Sequence, residues 1–312
     1  EGEARQVVHA ARSLPLWRVD LSSYLVEAQA ERLSQLRREE SGYVFDLASE
    51  FPIRAGLVRL SEEAHVLLLT QHHIASDAWS MQILMKELEA LYASCCAGVP
   101  SQVPMLSIQY ADYAHWQRTR MSEPEFSRKR AYWKSQLAGV PTVHGLPLDR
   151  VRPAQMDFTG DVFEQRLGKG LLERLQTLAG RHNASLFMVL QSAFAALLSY
   201  WSRERDIVMG SPIAGRSHKE VEPLIGFFVN TLVLRSEVWP TESFDQLLRR
   251  NRAMILDAFE HQDVPFDLLV EELQPERSLS HTPVFQIMFA LNHDQGGAPT
   301  HDLHSRRLKR DS

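Results

Sequence analysis

The sequence predicts an α/β (α+β) sandwich of two lobes. Strand-like and helix-like segments are interspersed in both halves of the chain, and 312 residues are enough for two medium-sized cores. The stretch 139–156, with three prolines and two glycines, is the least regular interior part and separates the halves. We therefore expect an N-terminal lobe over residues 1–145, a C-terminal lobe over 146–291, and a frayed or disordered polar tail over 292–312.

The N-terminal half begins with a helix and a hairpin. Residues 21–38 are rich in Leu, Ala, Glu and Arg and read mostly as a helix. Residues 52–60 alternate partially and residues 64–70 form a dense apolar run, so the polar turn between them predicts a β-hairpin. Three helices are predicted after it, over 79–96, 108–120 and 123–137.

The C-terminal half mixes the two kinds of element. Helices are predicted over 171–182, 185–202, 244–260 and 266–273. Strands are predicted over 161–167, 206–210, 227–234 and 283–291, with a loop over 211–224. This interspersion is the basis of the predicted fold class.

Composition excludes several classes of function. A net charge of −5 and a pI near 6.2 give no basic surface for nucleic acid. The longest apolar stretch, 186–200, is interrupted by polar residues and too short to span a membrane, and no secretory signal opens the chain. Cys95 and Cys96 are adjacent in a predicted helix and point about 100° apart, so we expect two reduced thiols in a cytoplasmic protein.

The segment His72 to Asp77, which reads His-His-Ile-Ala-Ser-Asp, lies where the second hairpin strand is predicted to end. Neighbouring side chains at a strand end point in opposite directions, so one histidine at most faces a given cleft. The nearby carboxylate can fix the loop or orient an imidazole, leaving the other ring nitrogen free as a base. No His-Glu-x-x-His or paired-cysteine cluster supplies further metal ligands. Spacing alone leaves catalysis, a structural or surface histidine pair, and a metal site open.

A resemblance narrows these alternatives. The run Gln71 to Ser80 resembles the His-His-x-x-x-Asp-Gly signature of nonribosomal peptide synthetase condensation domains, in the superfamily that includes chloramphenicol acetyltransferase. Four further stretches resemble segments of that family in the same order: Tyr110 to Trp116, Ile225 to Arg235, His261 to Asp267 and Arg277 to Gln286. On these five stretches the chain is identified as a member of the family. The segments at Ile225, His261 and Arg277 are similar to the type that joins an L-configured donor to an L-acceptor.

The resemblance implies two chloramphenicol acetyltransferase-like lobes with the active site at their interface. It implies amide-bond formation between a carrier-bound acyl or peptidyl thioester and a carrier-bound aminoacyl acceptor. The implied partners are upstream and downstream peptidyl carrier domains, with an adenylation domain in the parent chain. No cofactor or metal is implied in this domain, because the carrier domains supply the phosphopantetheine arms.

The resemblance also assigns roles to residues. It implies that His73 is a general base or positions the amine, and that His72 supports the loop. Asp77 is expected to point away from the substrate and to pair with a cation, for which Arg216 is the candidate, the alternative being a solvated loop arginine. Asn230 is expected either to polarise or orient the acyl group or to make a structural hydrogen bond.

One proline and several aromatic residues of the other matched stretches are predicted to be structural. Pro265 and Phe266 are expected to start a helix and anchor it. Those predicted to lie in the core or in a buried strand are Tyr110, Tyr113, Trp116, Phe227 and Phe228.

The chain departs from the family pattern in two ways. Ala78 stands where the family usually has glycine, so a positive φ or a close pantetheine arm would conflict with its methyl group. The family's opening segments and the part after 283–291 are not seen, and residue 1 is not methionine. We therefore expect an interior fragment or degenerate copy. Two other functions stay open: a freestanding acyltransferase that uses a soluble thioester, and a catalytically dead module that docks carrier domains.

Overall fold

The computed structural model describes residues 6–10, 13–101, 103–274 and 278–292. Packing groups the chain into two compact units, and the segment Arg216–Phe228 belongs to the first unit, which otherwise ends at Trp116. The second unit contains Gln117–Gly215 and the residues from Val229 onward. This division differs from the lobe boundary expected at residue 145, which stays a prediction, and most of the predicted tail lies outside the described residues.

The first unit is built on a three-stranded sheet of order β1-β2-β3. Its strands are β1 (Leu16–Asp20), β2 (Ile53–Arg59) and β3 (His65–Gln71). β2 and β3 pair antiparallel with Ile53 opposite Gln71, which confirms the predicted hairpin, whereas β1 pairs parallel to β2 and was not predicted. Helix α1 (Val26–Ser41) packs on this sheet through a small core that includes Leu36 and Val58.

Helix α1 begins five residues later than the sequence predicts. Asp20 Oδ1 accepts hydrogen bonds from the backbone N–H of Ser22 at 2.9 Å and from its hydroxyl at 2.6 Å, which closes a turn. Leu21, 2% exposed, fills the core beneath the sheet instead of a helical face. Local hydrogen bonds and core packing therefore override the helical composition of residues 21–25.

The remaining helices lie close to their predicted positions. Those of the first half are α2 (Ala78–Ala97), α3 (Tyr110–Arg120) and α4 (Pro124–Gln136). Those of the second half are α5 (Lys169–Arg181), α6 (Leu186–Ser202), α7 (Phe244–Glu260) and α8 (Phe266–Leu273). In the described part of the chain no single helix is long and apolar enough to cross a membrane, and the bent pair α5–α6 passes that test by length and composition only.

The second unit contains a two-stranded antiparallel sheet, β4 (Asp206–Ile213) and β5 (Asn230–Glu237). Helix α7 packs on β5 and on α6, and the main core includes Leu232, Leu234 and Leu248. A buried polar network joins the same elements, because the Gln191 amide donates to the Ser236 hydroxyl at 2.9 Å. The mixture of helices and strands confirms the predicted α/β class.

Two predicted strands of the second unit are wrong. Residues 161–167 form no strand, and Phe163 in their middle is 90% exposed. Residues 283–291 contribute only an isolated bridge between Gly210 and Met288, and Val284 near their start has φ 69°, outside extended geometry. The strand predicted over 227–234 begins at Asn230 and extends to Glu237.

Candidate active site

The turn that follows β3 is organised by His72. Its Nδ1 accepts a hydrogen bond from the backbone N–H of Ile74 at 3.1 Å, and its backbone N–H donates to Pro52 O at 2.9 Å. Its ring lies edge-on to Phe45, with centroids 6.0 Å apart. These contacts agree with the expectation that His72 supports the loop.

His73 begins a short 3-10 turn, His73–Ala75, and its side chain is exposed. The ring Nδ1 lies 2.7 Å from the backbone carbonyl oxygen of Ser76. Because a carbonyl oxygen can only accept, Nδ1 carries the hydrogen in this bond. In the neutral ring the lone pair is then on Nε2. The turn itself therefore orients the imidazole and leaves Nε2 as the unprotonated nitrogen.

Asp77 is the N-cap of α2 and is 7% exposed. Its Oδ1 accepts from the backbone N–H of Ser80 at 2.7 Å, and its Oδ2 accepts from the N–H of Phe228 at 3.0 Å. Burial raises the pKa of Asp77, but these hydrogen bonds and the charge of Arg216 outweigh burial and hold the pKa below its usual value. The carboxylate thus fixes the loop and does not orient the imidazole of His73.

Arg216 makes the ion pair with Asp77 that the resemblance implies, with Nη2 3.3 Å from Oδ1. Its side chain is 1% exposed, so the alternative of a solvated loop arginine is wrong. Nη1 donates to the carbonyl oxygens of Val221 and, at 2.8 Å, of Leu224. The guanidinium carbon lies 4.0 Å from the ring centroid of Phe228. Arg216 therefore ties its own loop to the start of α2.

Ser80 is a structural residue of this site that sequence reasoning missed. It is fully buried, and its hydroxyl donates to Gly226 O at 2.8 Å. The same oxygen accepts from Gly226 N–H at 3.0 Å and from Arg216 Nη2 at 2.7 Å. The available signal was weak: Ser80 stands three residues after Asp77, the spacing of a helix cap.

The two phenylalanines of the matched segment precede β5, so the predicted strand is wrong for both, whereas the predicted burial is confirmed for Phe228 and wrong for Phe227. Phe228 is buried against Tyr110 and Tyr113, which are themselves half-buried at the edge of this small core. Phe227 is 38% exposed, precedes β5, and lies beside His73 with ring centroids 5.2 Å apart at 90°. Trp116 is 36% exposed, so its assignment to the core is also wrong.

Gly226 has no room for a side chain. A Cβ built on it would lie 2.3 Å from Cδ2 of Tyr110, whose hydroxyl is held by Phe227 O at 2.8 Å. We expect Gly226→Ala to destabilise the protein by about 1–3 kcal/mol, as overpacking does. Denaturant unfolding checks this, with Gly160→Ala as the matched control, since nothing lies within 4 Å of a Cβ there. Equal losses in the two variants would contradict the expectation.

Ala78 occupies the first position of α2, is exposed, and is not among the residues with positive φ in the described part of the chain. The concern that this position needs glycine for a positive φ is therefore wrong. We expect Ala78→Gly to lower the free energy of unfolding, by at most about 1 kcal/mol, because glycine loses more backbone entropy. A stabilised Ala78→Gly variant in urea unfolding would contradict this reading.

Asn230, the first residue of β5, makes structural hydrogen bonds within the second unit. Its Nδ2 donates to the carbonyl oxygens of Gln262 at 2.9 Å and Val264 at 2.8 Å, and its Oδ1 accepts from Phe266 N–H at 3.0 Å. These contacts favour the structural alternative for Asn230, while a role toward the acyl group stays a prediction. Pro265 caps α8, as expected for a helix start.

The expectations for the cysteines, for metal ligands and for the last matched stretch concern other parts of the chain. Cys95 and Cys96 are free and exposed. In the described ranges no group of three or more His, Cys, Asp or Glu side chains could hold a metal ion. Arg277, which opens the last matched stretch, lies outside the described residues.

The chain is similar to known proteins in sequence and in structure. A family model described as "Condensation domain" matches residues 1–309. Malpibaldin synthetase of Mortierella alpina is 43% identical over 285 residues, covering 91% of this chain and 5% of that protein. The X-domain from teicoplanin biosynthesis is similar in structure with a TM-score of 0.81 and 30% identity, covering 91% of this chain and 62% of that one.

The X-domain was also solved in complex with OxyB, again with a TM-score of 0.81, at 29% identity and covering 91% of this chain and 62% of that one. The chain thus spans less than two thirds of each of these proteins. Within this chain, the structural likeness extends over residues of both compact units.

Proposed function

Because the chain belongs to the condensation-domain family, we propose that it forms amide bonds between two carrier-bound substrates. The donor is an acyl or peptidyl thioester and the acceptor is an aminoacyl thioester, each on a phosphopantetheine arm of a carrier domain. The amine nitrogen attacks the donor carbonyl, the C–N bond forms, and the C–S bond breaks. The donor arm leaves as a thiol, and the amine gives up a proton.

The observation that carries this proposal is the orientation of the ring of His73, a residue that is exposed and whose Nδ1 is hydrogen-bonded. The Ser76 carbonyl holds that nitrogen at 2.7 Å, so Nε2 presents its lone pair. An α-amine is partly protonated near neutral pH and must lose a proton for its nitrogen to attack. Whether His73 removes that proton or holds the amine in place, its Nε2 accepts the hydrogen bond that the amine donates.

Asp77 is excluded as the base by its contacts. Both of its oxygens accept hydrogen bonds, and its pKa lies below the usual value, so it stays ionised while fixing the loop. The catalytic contribution of the domain is then mainly the alignment of two tethered reactants, to which base assistance adds.

The wider setting follows from the family. We infer upstream and downstream peptidyl carrier domains as partners and an adenylation domain in the parent chain. The match over Ile225 to Arg235 favours the type that joins an L-configured donor to an L-acceptor. The two exposed thiols Cys95 and Cys96 fit a reducing compartment, so we place the reaction in the cytoplasm.

A second candidate function is a binding module without catalysis. The X-domain that resembles this chain was solved as a complex with OxyB, which favours a docking role for a domain of this fold. The presence of His73 with a fixed tautomer and a free Nε2 favours the enzyme. The two candidates separate in one experiment.

That experiment loads a donor and an acceptor carrier protein and follows both by intact-protein mass spectrometry. We expect the acceptor carrier to gain the mass of the donor acyl group while the donor carrier returns to its free thiol. A parallel reaction offers the same acyl group on coenzyme A. Product from coenzyme A without carriers would favour a freestanding acyltransferase, and carrier binding without transfer would favour the binding module.

A further inference from the structure

We propose that Phe227 is a positioning residue for His73, holding the imidazole through a ring contact that adds to its hydrogen bond to Ser76. The inference rests on the proposed function only in that it takes His73 as the reacting base. Phe227 and His73 are 154 residues apart in the sequence, and their rings meet edge to face with centroids 5.2 Å apart. Aromatic rings prefer this perpendicular arrangement, so the contact favours one ring orientation.

Two contacts then restrain the imidazole in different ways. The hydrogen bond from Nδ1 to Ser76 O fixes which nitrogen carries the proton. A single hydrogen bond leaves the ring free to tilt about the bond, and the Phe227 ring restricts that motion by packing against it. Together they fix the direction in which Nε2 points.

Hydrogen bonds from side chains hold the backbone around Phe227 in place. Gly226 is bound through both its N–H and its C=O by the hydroxyl of Ser80. The carbonyl oxygen of Phe227 accepts from the Tyr110 hydroxyl at 2.8 Å. The N–H of Phe228 donates to Asp77 at 3.0 Å. Three consecutive residues are therefore each tethered by a side chain.

Two of those tethers come from the helix that follows the His73 turn. Asp77 and Ser80 lie at the start of α2, four and seven residues after His73. The histidine turn and the segment Gly226–Phe228 thus share one set of buried hydrogen bonds, and the phenyl ring of Phe227 reaches the imidazole from a fixed support. The motif and this segment act as one unit in presenting Nε2.

The test compares Phe227→Ala and Phe227→Tyr with wild type, using Phe163→Ala as the control because Phe163 is exposed and outside this cluster. We expect Phe227→Ala to lower kcat for amide formation about 5- to 30-fold with KM for both carriers within about twofold, since small misplacements of a reacting group are costly. Phe227→Tyr keeps the ring and should stay within about threefold of wild type.

A second readout does not depend on turnover. NMR of protein labelled with ¹³C in the histidine rings, with His73 assigned from His73→Ala, reports the ring environment directly. We expect the His73 signals to shift in Phe227→Ala and to stay near wild type in Phe163→Ala. Unchanged His73 signals, or a rate in Phe227→Ala equal to wild type, would overturn the positioning role. A wild type without product would count against the proposed function alone, and the NMR comparison would then decide this inference.

Discussion

His73→Ala is expected to reduce the rate of amide formation by about 10²- to 10⁴-fold, the usual contribution of a general base. The substitution removes Nε2, while Asp77, Ser80 and Arg216 keep the loop and the start of α2 in place. The rate is measured under single-turnover conditions with loaded donor and acceptor carriers. His65→Ala is the matched control, since His65 is an exposed histidine at the start of β3.

His73→Gln distinguishes the two roles left open for this residue. Glutamine keeps a hydrogen-bond acceptor but has no titratable ring, so it can hold an amine without removing its proton. A rate within about tenfold of wild type would assign positioning, and a loss as large as that of His73→Ala would assign proton transfer. A wild-type rate in His73→Ala would contradict both roles.

Asp77→Asn is expected to destabilise the protein by about 3–5 kcal/mol, the usual result of removing one partner of a buried ion pair. The side chains of Asp77 and Arg216 are 5% and 1% exposed, so the arginine is left charged in a dry site. The asparagine amide also presents its NH₂ group to a donor, because both oxygens of Asp77 accept hydrogen bonds. Urea unfolding followed by tryptophan fluorescence measures the loss.

The pH dependence of this loss is a second measurable consequence. The pKa of Asp77 is lowered in the folded state, so its stabilising contribution is present above the unfolded pKa of about 3.9 and is lost as the pH falls through the folded value. The difference between wild type and Asp77→Asn should therefore shrink in acid. Glu39→Gln, which removes a pair with Arg32 that is exposed on both sides, should change stability by less than about 1 kcal/mol. Equal effects of the two substitutions would contradict the buried pair.

Helices with strong local signals were predicted closely. α7 and α8 have the bounds that the sequence predicts, and α7 starts with a capping box in which Ser243 and Gln246 bind each other's backbone N–H groups. Strands were predicted less well because an apolar run becomes a strand only where another strand can pair with it. Residues 161–167 have the composition of a strand but pair with no strand among the residues that the structure describes.

The features of the site also divide into those that the sequence predicted and those that it did not. The motif and its resemblance predicted His73, Asp77 and the pairing with Arg216. They did not predict that a backbone carbonyl, Ser76 O, orients the imidazole, since a main-chain acceptor leaves no mark on the residue type. They also missed Phe227, whose contact depends on long-range tethering.

The measurement that tests the central claim most directly is the mass of the acceptor carrier after incubation with the loaded donor carrier and this chain. Amide formation through His73 predicts that the acceptor carrier gains the donor acyl mass with wild type and with His65→Ala, and gains almost none in the same time with His73→Ala. An unchanged acceptor mass with wild type, or an equal gain with wild type and His73→Ala, would contradict it.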